Sequence, residues 1–164
     1  MQFQTRHFGT IEYDSDSVFE FPAGLPGFED EREFVALEQP HIRPIVFLQS
    51  LRRAELCFIT LPVQSIEPAY RLSLSAEDLR LLELPEERQP EIGSQVLCLA
   101  IVAVAEGQPP TANLLAPVVV NLANRRAVQA IMSDSGYSHR HPLPVAPREE
   151  HACSSCAEGS ARPL

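Results

Sequence analysis

The chain has 164 residues, 45% of them hydrophobic, and a formal net charge of −9. This length predicts one domain with its own hydrophobic core. The negative charge argues against direct binding of RNA or DNA, because phosphate groups would be repelled.

Short apolar runs separated by Gly, Pro and acidic residues predict a series of β-strands with the regular spacing of a sandwich or barrel. The longest run, residues 96–105, is expected to be a central strand buried on both faces. The other predicted strands are residues 3–8, 11–13, 18–21, 33–38, 45–50, 56–61, 70–75, 118–121 and 127–132.

One helix has a clear start signal. Ser75 precedes "AEDLRLLEL", and Asp78 stands at the third position expected of a capping box. Leu79 and Leu82 share one face, and Pro85 is expected to stop the helix. The predicted fold class is therefore mainly β, an antiparallel β-barrel-like single domain with one or two short helices.

The composition changes near residue 143 to Pro, Ser, Ala and charged residues. We predict a folded domain over residues 1–143 and a disordered tail over residues 144–164. Cys57 and Cys98 lie inside apolar runs and are expected to be core residues.

The tail holds a second pair of cysteines, Cys153 and Cys156, close to His151. A closed zinc site needs four ligands and no second pair follows, so we predict a solvated thiol pair and no metal site. Neither a GxGxxG nor a GxxxxGK[ST] motif occurs, which argues against a nucleotide cofactor.

The chain is expected to be cytoplasmic and without contact to a membrane. No apolar run reaches the length of a membrane span, which is about 18 uncharged residues. The first residues, "MQFQTRHFGT", lack the basic and apolar regions of a secretory signal.

Residues 133–143, "SDSGYSHRHPL", gather serine, aspartate and histidine side chains. Ser133, Asp134 and His139 offer a nucleophile, an acid and a base, but a triad depends on geometry and no GxSxG elbow is present. A structural role is the favoured interpretation, and no enzymatic activity is predicted. The alternative is a small β-barrel hydrolase or ligand carrier that uses this segment, including His141.

The segment "FPAGLPGFED", residues 21–30, combines a stiff backbone with large apolar side chains. Its prolines restrict φ and its glycines admit positive φ, so it is expected to hold one shape. Under one interpretation, Leu25 and Phe28 present a preformed contact surface for another protein. Under the other, both side chains fold back over the end of the barrel, since most large apolar side chains are buried.

Further along the chain, Tyr137 and Arg140 are residue types enriched in protein contacts, although Arg140 would also suit an ion pair. Asn113 and Asn121 flank an apolar strand, where Asn most often bonds the backbone of a turn.

Five segments, taken in order and spacing, resemble the flagellar assembly factor FliW family. The similarity covers about residues 3–143. The segments are "FGTIEYD" (8–14), "FPAGLPGFED" (21–30), "FLQS" (47–50), "TANLLAPVVVN" (111–121) and "YSHRHPL" (137–143).

This resemblance implies a cytoplasmic, non-enzymatic protein with a β-barrel-like fold and two alternative protein partners. One is flagellin, held before export. The other is CsrA, a translational repressor of flagellin messenger RNA, which the assembly factor binds and antagonises once flagellin has left. No cofactor is implied. The partner-binding residues that we predict are Leu25, Phe28, Glu29, Asp30, Gln49, Asn113, Tyr137 and Arg140.

Flagellin has amphipathic terminal helices, so we expect an apolar groove near Leu25 and Phe28 to take a helix. The acid excess suggests basic partners, although solubility alone would also explain it. Residues 1–143 hold nineteen acids and eleven arginines, a net charge of −8. A body with this charge, docked on CsrA, would repel the phosphates of a bound message. The predicted acidic contributors are Glu29, Asp30, Glu31 and Glu33.

Overall fold

A computed structural model describes residues 1–145. Of the predicted disordered tail, residues 144–164, all but the first two residues lie outside the described part of the chain. His151, Cys153 and Cys156 also lie outside it. Within residues 1–145, no helix has the length and apolar character required to cross a membrane.

The described chain is built mainly from short β-strands. The two α-helices are α1 (Val63–Ile66) and α2 (Ala76–Leu81), and short 3-10 helices cover Ser15–Ser17 and Pro40–Ile42. The strands are β1 (Gln2–Thr5), β2 (Gly9–Glu12), β3 (Val18–Glu20), β4 (Glu33–Glu38), β5 (Val46–Ser50), β6 (Cys57–Pro62), β7 (Val96–Ala103), β8 (Thr111–Ala112), β9 (Val118–Asn121), β10 (Ala127–Gln129) and β11 (His141–Pro142).

The main sheet runs in the order β10-β9-β7-β6-β5-β4-β3, with every neighbouring pair antiparallel. β8 pairs with β7 and with β11, whereas β1 and β2 form a separate hairpin. The sheet is not closed as a continuous barrel, but an isolated parallel bridge joins Glu20 of β3 to Arg126, the residue before β10. This arrangement confirms the predicted mainly β, antiparallel, barrel-like fold with two short helices.

Apolar residues pack on both faces of the sheet because strand side chains alternate. One core contains Phe19, Leu99 and Ala127. Since Phe19 and Ala127 belong to the two end strands, the sheet curls around this core. The neighbouring residue Cys98 belongs to a second core on the opposite face, where α2 contributes Leu79. The β1–β2 hairpin covers a third, smaller core.

The capping box predicted for α2 is confirmed. The Ser75 hydroxyl accepts from the Asp78 N–H at 3.1 Å, and the Asp78 carboxylate accepts from the Ser75 N–H at 3.4 Å. At the C-terminal end of α2, side chains of the β9–β10 hairpin donate to the last carbonyls of the helix. Asn121 donates from Nδ2 to the Leu82 carbonyl at 2.8 Å, and Arg126 donates from Nε to the Leu81 carbonyl at 2.9 Å. The helix is thereby fastened to the hairpin.

The strand predicted over residues 70–75 is wrong. Tyr70 and Leu74 are buried as the alternating pattern suggested, but the segment packs on the helical face of the sheet without pairing as a strand. Side chains satisfy its backbone instead. Gln89 accepts from the Leu74 N–H at 2.6 Å, and the Tyr137 hydroxyl accepts from the Arg71 N–H at 2.8 Å. The pattern correctly indicates burial but not the strand.

Candidate partner-binding surface

The turn segment, residues 21–31, leaves β3 and returns to β4 through a set of short backbone hydrogen bonds. The Phe21 N–H donates to the Arg32 carbonyl at 2.7 Å, and the Phe28 N–H donates to the Leu25 carbonyl at 2.7 Å. The Glu31 N–H donates to the Phe28 carbonyl at 2.9 Å. These bonds hold the turn segment in one shape.

Both glycines of the turn segment take positive φ, as expected. Gly24 has φ of +70°, and a side-chain Cβ there would lie 2.4 Å from the Glu29 carbonyl oxygen. Gly27 has φ of +83° with open space around it, and its N–H donates to the Glu29 carboxylate at 3.0 Å. Gly24 is therefore required by a close backbone approach, and Gly27 by its conformation alone.

Leu25 does not present a contact surface. It is only 1% exposed and packs in the same core as Phe21 and Phe34. A side chain buried this completely cannot contact a protein that docks on the folded chain, so Leu25 is removed from the predicted contact residues. Of the two interpretations of the turn segment, folding back over the core is the one that the structure adopts for Leu25.

Phe28 is half-buried. Its ring packs edge-on against Phe58, with 5.4 Å between the ring centroids. Phe58 in turn lies 5.9 Å from the ring of Phe34 in the core. Phe28 therefore covers the core, with part of its surface left to solvent.

The four acids predicted to face a partner separate into two kinds. Glu29, Asp30 and Glu33 are exposed. Glu31 is only 1% exposed, with one carboxylate oxygen 2.9 Å from the Arg53 guanidinium and the other accepting from the Ser50 hydroxyl at 2.6 Å. Glu31 is thus a structural residue, and its predicted role as a surface charge is wrong.

A groove of about 460 Å³ runs between the turn segment, the start of α2 and strand β10. We call it the β10 groove. Ala23, Gly24, Pro26 and Glu29 line one wall; Ser75, Glu77, Asp78 and Leu81 line the second; Val128, Gln129 and Ile131 line the third. The β10 groove combines apolar surface with exposed carboxylates.

The hydrogen bond from Gly27 lowers the pKa of the Glu29 carboxyl, because it stabilises the charged form. Glu29 therefore places a negative charge at the rim of the groove. Glu77, on the opposite wall, is also exposed.

The comparison with known proteins decides the family. The family model described as "FliW protein" matches residues 2–143. The chain belongs to the FliW family. The flagellar assembly factor FliW of Desulfitobacterium hafniense (strain DSM 10664 / DCB-2) is 38% identical over 144 residues, which are 87% of this chain and 91% of that protein. The flagellar assembly factor FliW of Carboxydothermus hydrogenoformans is 36% identical, over 88% of this chain and 90% of that protein.

A solved structure gives the same result for the fold. The crystal structure of the flagellar assembly factor FliW superposes on this chain with a TM-score of 0.74 and 32% sequence identity. The match covers 88% of this chain and 98% of that one. The resemblance found in the sequence is therefore confirmed.

Within this FliW chain, Gln49 lies in the interior and not on the surface. It is fully buried, and its side-chain amide nitrogen Nε2 lies 3.0 to 3.3 Å from the carbonyls of Ser50, Arg53, Ala54 and Leu56. These contacts hold the β5–β6 turn together. Gln49 is removed from the predicted contact residues for the same reason as Leu25.

Asn113 and Asn121 serve turns, as the sequence suggested. The Asn113 carbonyl oxygen Oδ1 accepts from the Ala116 N–H at 2.9 Å, and the Asn121 Oδ1 accepts from the Ala123 N–H at 2.9 Å. Asn113 keeps partial exposure. This hydrogen bond to the backbone explains why an asparagine stands at position 113, and contact with a partner protein is not needed to explain it.

Tyr137 and Arg140 are distant from the turn segment in sequence and differ from each other in environment. Tyr137 is half-buried and stacks on Tyr70, with 4.4 Å between the ring centroids. Arg140 is exposed, and within residues 1–145 it forms no ion pair. Arg140 therefore remains available to a partner, whereas Tyr137 mainly supports the fold.

The segment of residues 133–143 does not assemble a triad. Among the described residues, no hydrogen bond joins the side chains of Ser133, Asp134, His139 and His141. No group of three or more His, Cys, Asp or Glu side chains within residues 1–145 is arranged to hold a metal ion.

The wall of the groove that β10 and Ile131 form was not predicted from the sequence. Ile131 is 61% exposed, and it lines the groove beside Val128 and Gln129. The run "AVQAIM" predicted a strand over residues 127–132, but β10 ends at Gln129. Ile131 directly follows the buried residue Ala130, and this alternation was the available signal.

Proposed function

We propose that this chain is a flagellar assembly factor that binds flagellin in the cytoplasm before export. When flagellin is absent, it binds the translational regulator CsrA and relieves repression of flagellin messenger RNA. It acts without enzymatic activity, by exchanging one protein partner for another. Family membership across residues 2–143 is the observation that carries this proposal.

The curated relatives support the assembly role, because they bear the name flagellar assembly factor FliW and span almost the same length as this chain. The surface supports a binding role. The β10 groove is preformed by a rigid turn segment, so a partner would meet a surface that needs little ordering. Among the predicted contact residues, Glu29, Asp30 and Arg140 are exposed, and Phe28, Asn113 and Tyr137 keep part of their surface accessible.

The charge of the domain supports antagonism of an RNA-binding partner. Residues 1–143 carry a net charge of −8, and Glu29, Asp30 and Glu33 are exposed together after the turn. A negative body held beside a basic RNA-binding surface repels phosphates without covering every contact. Each tenfold change in partner ratio corresponds to about 1.4 kcal/mol, so modest affinity differences are enough for exchange.

Co-elution tests the proposal. The full chain is mixed with the flagellin and the CsrA homologue of its own organism, first separately and then together, and separated by size-exclusion chromatography. We expect a complex with each partner, and loss of the CsrA complex when flagellin is in excess. If neither partner co-elutes, the proposed function is rejected.

The competing function is a hydrolase or ligand carrier that uses residues 133–143. The double variant His139→Ala and His141→Ala separates the two functions. A binding protein should keep both complexes and lose at most some stability, because His141 lies in β11. Loss of turnover of a metabolite in this variant would favour the enzyme.

A further inference from the structure

Strand β10 lies at one end of the main sheet and bonds to β9 on one side only. The Ala130 N–H donates to the Pro117 carbonyl, and the Met132 N–H donates to the Leu115 carbonyl, both at 2.9 Å. Backbone groups of successive residues in an antiparallel strand point in opposite directions. The N–H and C=O groups of the alternate residues therefore face away from β9.

These alternate residues are Ala127, Gln129 and Ile131. The outward backbone groups of Ala127 are covered, because β3 approaches this end of β10 at the bridge between Glu20 and Arg126. Beyond that bridge the chain leaves β3 for the turn segment and diverges from β10. Within residues 1–145, the Ile131 N–H and C=O make no hydrogen bond. The outer edge is thus open at Gln129, the last residue of β10, and at Ile131, two residues beyond it.

This open edge faces the β10 groove. Gln129 and Ile131 line one wall, the start of α2 lies beside them, and the turn segment forms the opposite side. A groove between a strand edge and a helix is a geometry in which proteins accept an additional strand, because the edge supplies hydrogen bonds and the groove takes alternate side chains. Unpaired edges are usually blocked by charge or proline. Here an apolar side chain, Ile131, is exposed instead.

The charge of the groove indicates which kind of partner segment would bind there. Glu29 and Glu77 are exposed on opposite walls, and no arginine is among the described residues that line the groove. Asp78 adds a third carboxylate, which caps α2. A segment with apolar residues in its centre and Lys or Arg at its ends would complement this surface.

We propose that the outer edge of β10 binds an extended segment of a partner protein by β-strand addition, and that this segment carries apolar residues flanked by Lys or Arg. The backbone of the segment bonds to Gln129 and Ile131. An apolar side chain of the segment packs between Ile131 and Pro26. This inference rests on the proposed function, since it takes the partner to be flagellin.

An extended segment suits the groove better than the helix expected from the sequence. A helix satisfies its own backbone groups and has none to offer the open edge. The helix hypothesis also required Leu25 to contribute an apolar surface, and Leu25 is buried.

The experiment measures amide hydrogen exchange in the full chain, alone and bound to flagellin. We expect exchange at Ile131 and Gln129 to slow by about tenfold or more in the complex, because both amides acquire a partner. Ile131→Pro removes the outward N–H without removing a bond to β9. It should weaken flagellin binding by about tenfold or more. Ile131→Ala, the matched control, keeps the N–H and should weaken binding less.

Thermal melting of both variants shows whether they fold. If Ile131→Pro does not fold, the exchange measurement on the unaltered complex decides. Flagellin that binds without slowing exchange at Gln129 and Ile131 would overturn the inference and leave the proposed function intact.

If flagellin does not bind at all, the proposed function fails, and the peptide Arg-Val-Thr-Val-Thr-Val-Arg tests the edge alone. Slowed exchange at Ile131 in millimolar peptide supports the edge site, and unchanged exchange overturns it.

Discussion

The Glu31 carboxylate lies 2.9 Å from the Arg53 guanidinium and is almost completely buried, although its neighbours Glu29, Asp30 and Glu33 are exposed. Its second oxygen accepts from the Ser50 hydroxyl at 2.6 Å. Glu31 therefore joins the turn segment to the β5–β6 turn. A buried carboxylate in this position is needed by the fold and not by a partner.

Replacing Glu31 with Gln should reduce the free energy of unfolding by about 1–3 kcal/mol, because the charge-assisted contacts to Ser50 and Arg53 are lost. Urea denaturation measures the effect. Glu33→Gln changes a nearby exposed acid and should leave the urea midpoint unchanged. Equal shifts in the two variants would contradict a structural role for Glu31.

The two glycines of the turn segment offer a matched comparison. Gly27→Ala should reduce the free energy of unfolding by about 1 kcal/mol, the cost of positive φ for a residue with a side chain. Gly24→Ala should cost clearly more, because its Cβ would lie 2.4 Å from the Glu29 carbonyl oxygen. Urea denaturation of both variants checks the order. Similar losses in both would show that the turn segment relaxes around position 24.

Phe28→Asp should destabilise the fold, because the ring packs against Phe58 and covers the core. We expect a loss of about 2 kcal/mol or more in the free energy of unfolding. Phe28→Leu keeps an apolar side chain and should lose less. If Phe28→Asp melts like the unaltered chain but no longer binds flagellin, Phe28 is a contact residue and the packing role is refuted.

The proposed antagonism of CsrA should weaken as salt rises, and faster than formation of the complex does. At physiological ionic strength, charges separated by more than about 8 Å are already largely screened. Release of labelled flagellin messenger RNA from CsrA is measured at increasing salt, beside co-elution of the two proteins. A variant with Glu29→Gln, Asp30→Asn and Glu33→Gln should bind CsrA but release less RNA. Release that does not depend on salt would argue for direct blocking of the RNA site.

Alkaline pH should reduce stability. Burial raises the pKa of the Cys98 thiol to about 12 and that of Cys57 to about 11, from an ordinary value of 9.0. Burial also raises the pKa of the Tyr70 hydroxyl. The unfolded chain therefore loses these protons at lower pH than the folded chain does. The stabilisation is complete below about pH 9 and is lost as pH rises towards the folded values.

Urea denaturation between about pH 8 and about pH 11 measures this loss. Cys98→Ala should flatten the pH dependence above pH 9, because it removes the more deeply buried thiol. Cys57→Ala should flatten it less, since Cys57 is only partly buried. A pH dependence that both variants leave unchanged would exclude the thiols as its source.

Local patterns predicted the elements whose stability is local. The apolar run in residues 33–38 gave β4 with its observed bounds, and Ser75 with Asp78 gave the start of α2. The segment of residues 70–75 alternates apolar and polar residues, as many strands do, but it is not a strand. Its backbone is satisfied by the side chains of Gln89 and Tyr137, which are distant in sequence, and no local pattern indicates such partners.

The binding surface was predicted less completely than the fold. The turn segment and its rigidity followed from Pro and Gly, but the burial of Leu25 and Gln49 depends on which strands surround them. The β10 groove was not predicted at all, because three segments far apart in sequence form it. Its exposed residue, Ile131, resembles any other apolar residue at the end of a strand until the sheet order is known.

The hydrogen bonds from Asn121 to Leu82 and from Arg126 to Leu81 have a consequence for recognition. They fasten the end of helix α2 to the hairpin that contains β10, so these two walls of the groove are joined. Their separation is already set before a guest arrives. A segment that binds between them would lose mainly its own conformational entropy, because the walls of the groove are already ordered.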